Sequence, residues 1–78
     1  MRSKDILAER ELAALAKKYR QAAGRSRSEA ARDMNVKHPS IFHAEESPGK
    51  SYVKLRVRLI ETYSPFKVTG PVYLLEKK

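Results

Sequence analysis

The stretch from residue 26 to residue 45 constrains this chain most, because it predicts two short helices joined by a tight turn. Ser26 and Glu29 have the spacing of a capping box, in which the hydroxyl accepts a hydrogen bond from an early helical N–H and the carboxylate reaches back to the cap. Asn35 follows where a left-handed turn residue is needed, since Asn tolerates a positive φ angle better than most residues. A second short helix is expected to open near Pro39.

Small and apolar residues mark the sides on which the two helices are expected to meet. They are Ala30, Ala31 and Met34 in the first helix, Val36 in the turn, and Ile41 and Ala44 in the second helix. Because Pro39 disfavours helical geometry at the residue before it, His38 is expected to be the N-cap of the second helix. Two helices of about two turns each, joined by a short turn, form the framework of a DNA-binding helix-turn-helix.

These residues resemble the helix-turn-helix family of the Cro protein and the lambdoid phage repressors. The positions that carry the resemblance are Ser26, Arg27, Ala30, Ala31, Asn35, Val36, Ile41 and Glu45. The resemblance implies a motif core formed by Ala31, Asn35, Val36, Ile41 and Glu45, in which a hydrogen bond or an ion pair holds Glu45. The chain departs from the family pattern where Arg27 replaces Gln, Asn35 replaces Gly, and Ser47 replaces Gly.

The flanking segments predict two more helices. Residues from about 4 to 23 are rich in strong helix formers, and Gly24 supplies a left-handed end to this helix. The inward face of the helix is expected to comprise Leu12, Leu15, Ala16, Tyr19 and Ala23. Residues 51 to 63 fit either a half-buried strand, by their alternation, or a helix, by the stripe of Tyr52, Leu55, Leu59, Ile60 and Tyr63. The helix is favoured, because Ser51 and Ser64-Pro65 supply a start and a stop and because the resemblance, which spans roughly residues 8 to 63, implies a helix here.

The tail, residues 65 to 78, changes character: two β-prone segments are separated by Gly70 and Pro71. It can fold back as a hairpin on its own domain or extend across a partner subunit. Since an isolated hairpin is marginally stable, and since the resemblance to Cro-type proteins implies dimerisation through C-terminal strands, we predict a homodimer contact. The predicted dimerisation residues are Phe66, Val68, Val72 and Leu74.

The predicted fold is therefore mainly α, a four- to five-helix, lambda-repressor-like helix-turn-helix domain with a short C-terminal β-strand or hairpin. The DNA-binding domain is expected to span residues 1 to 64 and the tail residues 65 to 78. No apolar run approaches the roughly 20 residues that a membrane span needs, and no signal peptide is expected.

The charge of the chain favours a polyanionic partner. Seventeen Lys and Arg against nine Asp and Glu give a net charge of +8 and a pI of about 10.1. Seven of the basic residues lie between positions 17 and 37, against two acids. The alternative is a merely soluble basic surface. We predict that DNA phosphates are bound by Arg25, Arg27, Lys37 and Lys50.

The second helix of the motif is expected to contact DNA bases. If Ile41 and Ala44 face inward, its first turn and its opposite side carry His38, Pro39, Ser40 and His43. The resemblance implies that these four positions reach base edges in the major groove. His and Ser can donate to or accept from base edges there, and Pro39 offers apolar contact to a thymine methyl group.

Catalysis, metal binding and cofactors are not expected. The chain has no cysteine, and two His residues five positions apart do not make a zinc site. Gly49-Lys50-Ser51 lacks the earlier Gly of a phosphate-binding loop, since that position is Ala44. A triad of Ser40, His43 and Glu45 would need a pocket that so short a chain cannot build.

Two classes of function follow from these patterns. The favoured one is a sequence-specific, homodimeric transcriptional regulator of the phage or prophage type, which binds a two-fold symmetric operator in the cytoplasm, at the bacterial nucleoid or in a phage-infected cell. The alternative is the antitoxin of a toxin–antitoxin pair, which binds a protein toxin as well as DNA. RNA binding is a weaker third interpretation, because stacking aromatic residues of the RNA-recognition type are missing from the sequence.

Overall fold

A computed structural model describes residues 6–7, 9–47, 49–69 and 73–78. Its elements, in chain order, are β1 (Ile6–Leu7), α1 (Glu9–Ala22), α2 (Arg27–Met34), α3 (His38–Glu46), α4 (Val53–Tyr63), β2 (Phe66–Thr69) and β3 (Tyr73–Lys77). The fold is mainly helical, and its described part has four helices and a C-terminal antiparallel hairpin. The predicted fold class is thereby confirmed.

All four helices contribute to one apolar core. It contains Leu12 and Ala16 of α1, Ala30, Ala31 and Met34 of α2, Ile41 and Ala44 of α3, and Leu55, Leu59 and Ile60 of α4. The predicted inward face of α1 needs one correction, because Ala23 is exposed and Arg20 is buried instead. Ala23 lies beyond the last residue of α1, where the chain turns away at Gly24.

Local turn chemistry follows the sequence closely. Ser26 Oγ accepts from the Glu29 N–H at 3.1 Å, and the Glu29 carboxylate accepts from the Ser26 N–H at 2.9 Å, so the capping box is complete. Asn35 ends α2 in the left-handed region with φ 58°, and Gly24 takes φ 71° after α1. The predicted capping box and both predicted left-handed ends are confirmed.

Three helix starts differ in detail from the sequence-based expectations. The helix favoured for residues 51 to 63 is present as α4, but Tyr52 is its N-cap instead of Ser51, and no side chain caps it. Helix α3 already begins at His38, with Lys37 as N-cap. Pro39 is tolerated there because the N–H groups of a first helical turn have no intrahelical partner to lose.

The start of α1 is the third correction. The sequence predicts a helix from about residue 4, but α1 begins at Glu9 and Ile6–Leu7 forms a strand. In that strand Ile6 pairs with Leu74 and Leu7 with Tyr73. Pairing with a distant strand overrides the helical preference of the local sequence, which by itself is weak.

The three strands form an antiparallel sheet in the order β1-β3-β2. Val68 and Leu75 of the hairpin pack against the helical core, and the rings of Tyr19 and Phe66 lie 6.2 Å apart. The hairpin therefore packs on its own domain, as in the first of the two arrangements that the sequence allows for the tail. Of the predicted dimerisation residues, Val72 and the side chain of Leu74 lie outside the described part of the structure.

Candidate nucleic-acid interface

Helix α3 has one fixed inward side and one accessible outward side. Ile41 and Ala44 are completely buried, which sets the rotation of the helix about its axis. The four residues predicted to contact bases lie on the same helix: His38 and Pro39 are exposed, and Ser40 and His43 are half-buried. The structure thus brings all four together on one helix. Phe42 adds a large apolar side chain that is 44% exposed.

The His43 imidazole is held by its neighbours. Its Nδ1 lies 3.3 Å from Ser47 Oγ, and its ring stacks on Tyr52 with centroids 5.8 Å apart and planes inclined by 22°. Phe42 meets the same ring edge-on at 5.6 Å. Among the described residues, none makes a hydrogen bond to His43 Nε2, so this nitrogen is available to a ligand. In a neutral imidazole one nitrogen donates and the other accepts, so the role of Nδ1 toward Ser47 sets the role of Nε2.

A bidentate ion pair between Arg20 of α1 and Glu45 of α3 joins the end of α3 to α1. Arg20 Nε donates to Glu45 Oε2 at 2.6 Å, and Nη2 donates to Oε1 at 3.0 Å. Both residues are buried, and Arg20 Nη1 also donates to the Arg25 carbonyl at 2.7 Å. Bidentate geometry of this kind is the strongest form of a charge-assisted hydrogen bond. The structure therefore places Glu45 in an ion pair that fixes α3 on the core.

Arg27, a predicted phosphate contact, is paired with two acids of α3. Its Nε donates to Glu45 Oε1 at 3.1 Å and its Nη2 to Glu46 Oε2 at 2.6 Å. Its guanidinium lies over the Phe42 ring, 5.1 Å from the centroid. Lys17 reaches Glu46 as well, at 2.7 Å. The hydrogen bond from Lys17, together with the positive charges of Lys17 and Arg27, lowers the pKa of Glu46.

Arg25, another predicted phosphate contact, is also engaged. Its guanidinium donates to both oxygens of Asp33, at 3.0 and 2.9 Å, and lies 3.4 Å from Glu29. The hydrogen bond from Arg25 lowers the pKa of Asp33, and the Tyr63 hydroxyl, which donates to the same carboxylate, lowers it further. Arg25 thus bridges residues of α2 and is not free in this structure.

The two predicted lysine contacts are placed differently. Lys37 and Lys50 are exposed, and neither side chain makes a hydrogen bond or ion pair with any described residue. Lys37 immediately precedes α3, and Lys50 lies in the segment that follows it. Lys54, in the first turn of α4, is a third exposed lysine without such a partner in the described chain. Sequence reasoning did not select it.

Sequence reasoning also missed Arg56. This arginine of α4 is completely buried, and its Nε donates to the Ala44 carbonyl at 2.8 Å while Nη2 donates to the carbonyls of Ser47 at 2.8 Å and Lys50 at 3.1 Å. It therefore holds the end of α3 and the segment that follows. The signal was present in the spacing, since Arg56 precedes Leu59 by three positions and Ile60 by four, on the buried side of α4.

An open groove of about 490 Å³ lies beside the first turn of α3. It is lined by Val36, Ser40, Ser51, Tyr52, Val53, Lys54 and Leu55. Ser40, one of the predicted base contacts, and Lys54 both line this groove. Ser40 is the residue of α3 that lines this groove.

No protein-family model, no curated protein and no solved structure matches this chain. Within the described residues, no helix is long and apolar enough to cross a membrane.

Proposed function

We propose that this protein is a sequence-specific DNA-binding transcriptional regulator of the Cro-like or phage-repressor-like type, with α3 in the major groove. The observation that carries the proposal is the presentation of α3: the buried Ile41 and Ala44 fix one side, and the polar residues of the other side remain accessible. Base edges in the major groove offer donors, acceptors and thymine methyl groups. The His, Ser and Pro side chains of α3 are complementary to those groups.

The charges around α3 support the same proposal. Lys37 lies immediately before the helix, Lys50 lies after it, and Lys54 lines the same groove as Ser40. Contacts from lysines to phosphates supply affinity and register without sequence information. Lysines before and after a helix whose accessible residues include His, Pro and Ser match this division between phosphate contacts and base contacts.

We further propose that the protein binds a two-fold symmetric operator as a homodimer in the bacterial or phage-infected cytoplasm. Dimeric helix-turn-helix proteins place two such helices about one turn of DNA, or 34 Å, apart. Strand β2 forms one outer edge of the sheet. On this strand the Phe66 N–H donates to the Ser64 hydroxyl and the Val68 N–H donates to the Glu61 carboxylate, so these two N–H groups are not available to pair with a partner strand. A partner subunit would therefore contact the outer face of the sheet or the edge formed by β1.

The test is selection of duplexes from a random library, followed by competition between the selected duplex and random DNA. We expect an enriched, approximately palindromic site, and footprinting should show two protected half-sites. Sedimentation at concentrations on the order of tens of micromolar should show a dimer. Failure to enrich any sequence, with equal affinity for all duplexes, would reject sequence-specific regulation.

One observation favours the antitoxin as a second candidate. Phe42 is exposed at 44% on α3, and it forms an aromatic group with His43 and Tyr52. Exposed aromatic side chains are enriched at the centres of protein–protein interfaces. Purification from its native cell would decide this: a stoichiometric protein partner that is lost with Phe42→Ala, but retained with Lys37→Ala, would support the antitoxin.

A further inference from the structure

We propose that Glu46 holds Arg27 in the free protein and competes with DNA phosphate for it. This inference rests on the proposed DNA-binding function and adds a control of binding strength to it. Arg27 is the first residue of α2, and its guanidinium lies against Phe42, an exposed residue of α3. The cation therefore borders the outward side of α3, where phosphates of a bound duplex would pass.

The hydrogen-bonding groups of Arg27 are only partly occupied. Nε donates to the buried Glu45, and Nη2 donates to Glu46. Nη1 donates to none of the described residues. A guanidinium has five N–H donors, and a phosphate prefers two of them side by side. Nη2 carries two N–H groups, and Glu46 accepts from one of them. A phosphate that takes Nη1 and Nη2 together would bring its negative charge beside the Glu46 carboxylate, so the two anions repel each other and compete for Arg27.

The exchange of anions is feasible because the two carboxylates differ in burial. Glu45 is buried and remains bound by Arg20, whereas the side chains of Arg27 and Glu46 are 28% and 32% exposed. An ion pair this exposed contributes little to stability, so it can be broken at low cost. Glu46 also keeps Lys17 at 2.7 Å after Arg27 leaves. Arg27 can therefore swing toward phosphate while its Nε stays on Glu45.

The pair between Glu46 and Arg27 is expected to lower the affinity of the protein for every duplex, whatever its sequence. In the free protein Glu46 neutralises one cation of the interface, and binding must replace that internal pair before Arg27 contributes. This lowers the affinity of a chain with a net charge of +8 for DNA in general.

The test compares Glu46→Gln, Arg27→Ala and the double variant on a random-sequence duplex two helical turns long, at two salt concentrations. Glu46→Gln should tighten binding about two- to fivefold, the range that corresponds to an exposed ion pair. The slope of log K against log salt should steepen by about one. In the Arg27→Ala background the same substitution should change affinity by less than half as much. Glu76→Gln, which removes an equal charge on the distant β3, is the matched control.

Several results would overturn the inference while leaving DNA binding intact. They are equal effects of Glu46→Gln with and without Arg27, an equal gain from Glu76→Gln, and no gain at all. A direct readout is the ¹⁵N–¹H signals of the Arg27 Nη groups, which should shift when the duplex is added to the unaltered protein, because Nη2 exchanges Glu46 for phosphate. Unmoved Nη signals contradict the exchange. If the unaltered protein binds no duplex, the proposed function itself fails together with this inference.

Discussion

At the scale of single residues, arginine and lysine have different tasks in this protein. Arg20 and Arg56 are buried and bind the end of α3, and Arg25 and Arg27 are paired with acids on α2 and α3. Guanidinium groups suit such sites because their planar fork matches carboxylates and can satisfy several carbonyls at once. The unpaired positive charges beside α3 therefore come from lysines. The net charge of +8 is larger than the charge that can contact DNA, because these arginines already bind groups of the protein.

Substitutions in α3 and before it should separate base contacts from phosphate contacts. We expect His43→Ala to cost about 1–3 kcal/mol on the selected site and little on random DNA, because its imidazole would bind a base edge. Lys37→Ala should weaken binding to both duplexes equally and lower the salt slope by about one. Competition binding at two salt concentrations measures both effects. Equal losses on both duplexes with His43→Ala would remove that residue from base contact.

Asp33 should make stability depend on pH in the acid range. Hydrogen bonds from Arg25 and Tyr63 hold the pKa of the Asp33 carboxyl below its usual range, so the folded state favours the charged carboxylate. The resulting stability is present above the unfolded pKa and is lost as the pH falls through the lower folded pKa. Asp33→Asn should therefore flatten the fall in melting temperature below about pH 4.

The matched variant for this acid dependence is Arg25→Gln, which removes the hydrogen bond that contributes most to the lowered pKa of Asp33. It should flatten the same part of the curve. An unchanged acid slope in both variants would mean that the Asp33 contacts are not maintained in solution.

At the scale of elements, α4 supports the ends of α2 and α3. Arg56 binds carbonyls at the end of α3, and Arg58 donates to the Met34 carbonyl at the end of α2 at 2.7 Å. The last carbonyls of a helix have no intrahelical partner, and the negative end of the helix dipole favours a cation there. One helix thus closes the ends of two others.

Arg56 is buried and Arg58 is exposed, so substitutions of the two arginines should differ in their cost to stability. Arg56→Ala should lower the free energy of unfolding by about 2–4 kcal/mol, because it leaves a cavity and buried carbonyls without donors. Arg58→Ala should cost about 1 kcal/mol or less, since Arg58 is exposed and water can replace it. Chemical denaturation measures both values. Equal costs would show that Arg56 is not the main support of α3.

At the scale of the whole molecule, the sheet joins both ends of the described chain. Strand β1 pairs with β3, and β2 lies beside α4 through the hydrogen bond from the Val68 N–H to Glu61 at 2.9 Å. Val68 and Leu75 pack on the helical core. The hairpin is therefore part of the domain that holds α3, whether or not it also forms a dimer.

Neighbouring positions of β2 test this role of the hairpin. Val68→Ala should lower the free energy of unfolding by about 1 kcal/mol, because it removes partly buried methyl groups from the core contact. Lys67→Ala, on the opposite face of the strand, should be nearly silent, since its ion pair with Glu76 is long at 3.7 Å and exposed. Thermal unfolding compares the two. An undisturbed melting temperature with Val68→Ala would mean that the hairpin does not stabilise the helices.

The sequence alone determined the features that depend on near neighbours. The capping box of Ser26 and Glu29 and the left-handed residues Gly24 and Asn35 could be predicted because each acts within a few positions of the chain. The core face of α3 followed from helical periodicity for the same reason. These local signals were sufficient for the order of the helices and for the helix that carries the candidate site.

Only the tertiary structure decided which distant groups meet. Ile6–Leu7 became a strand because β3 lies beside it, and Arg27 met Glu46, nineteen positions away, because α2 and α3 pack together. Arg56 is buried where it donates to the carbonyls of Ala44, at the end of α3, and of Ser47 and Lys50, in the segment after it. The partners of a charged side chain depend on how whole elements approach each other, and no short-range spacing encodes that approach.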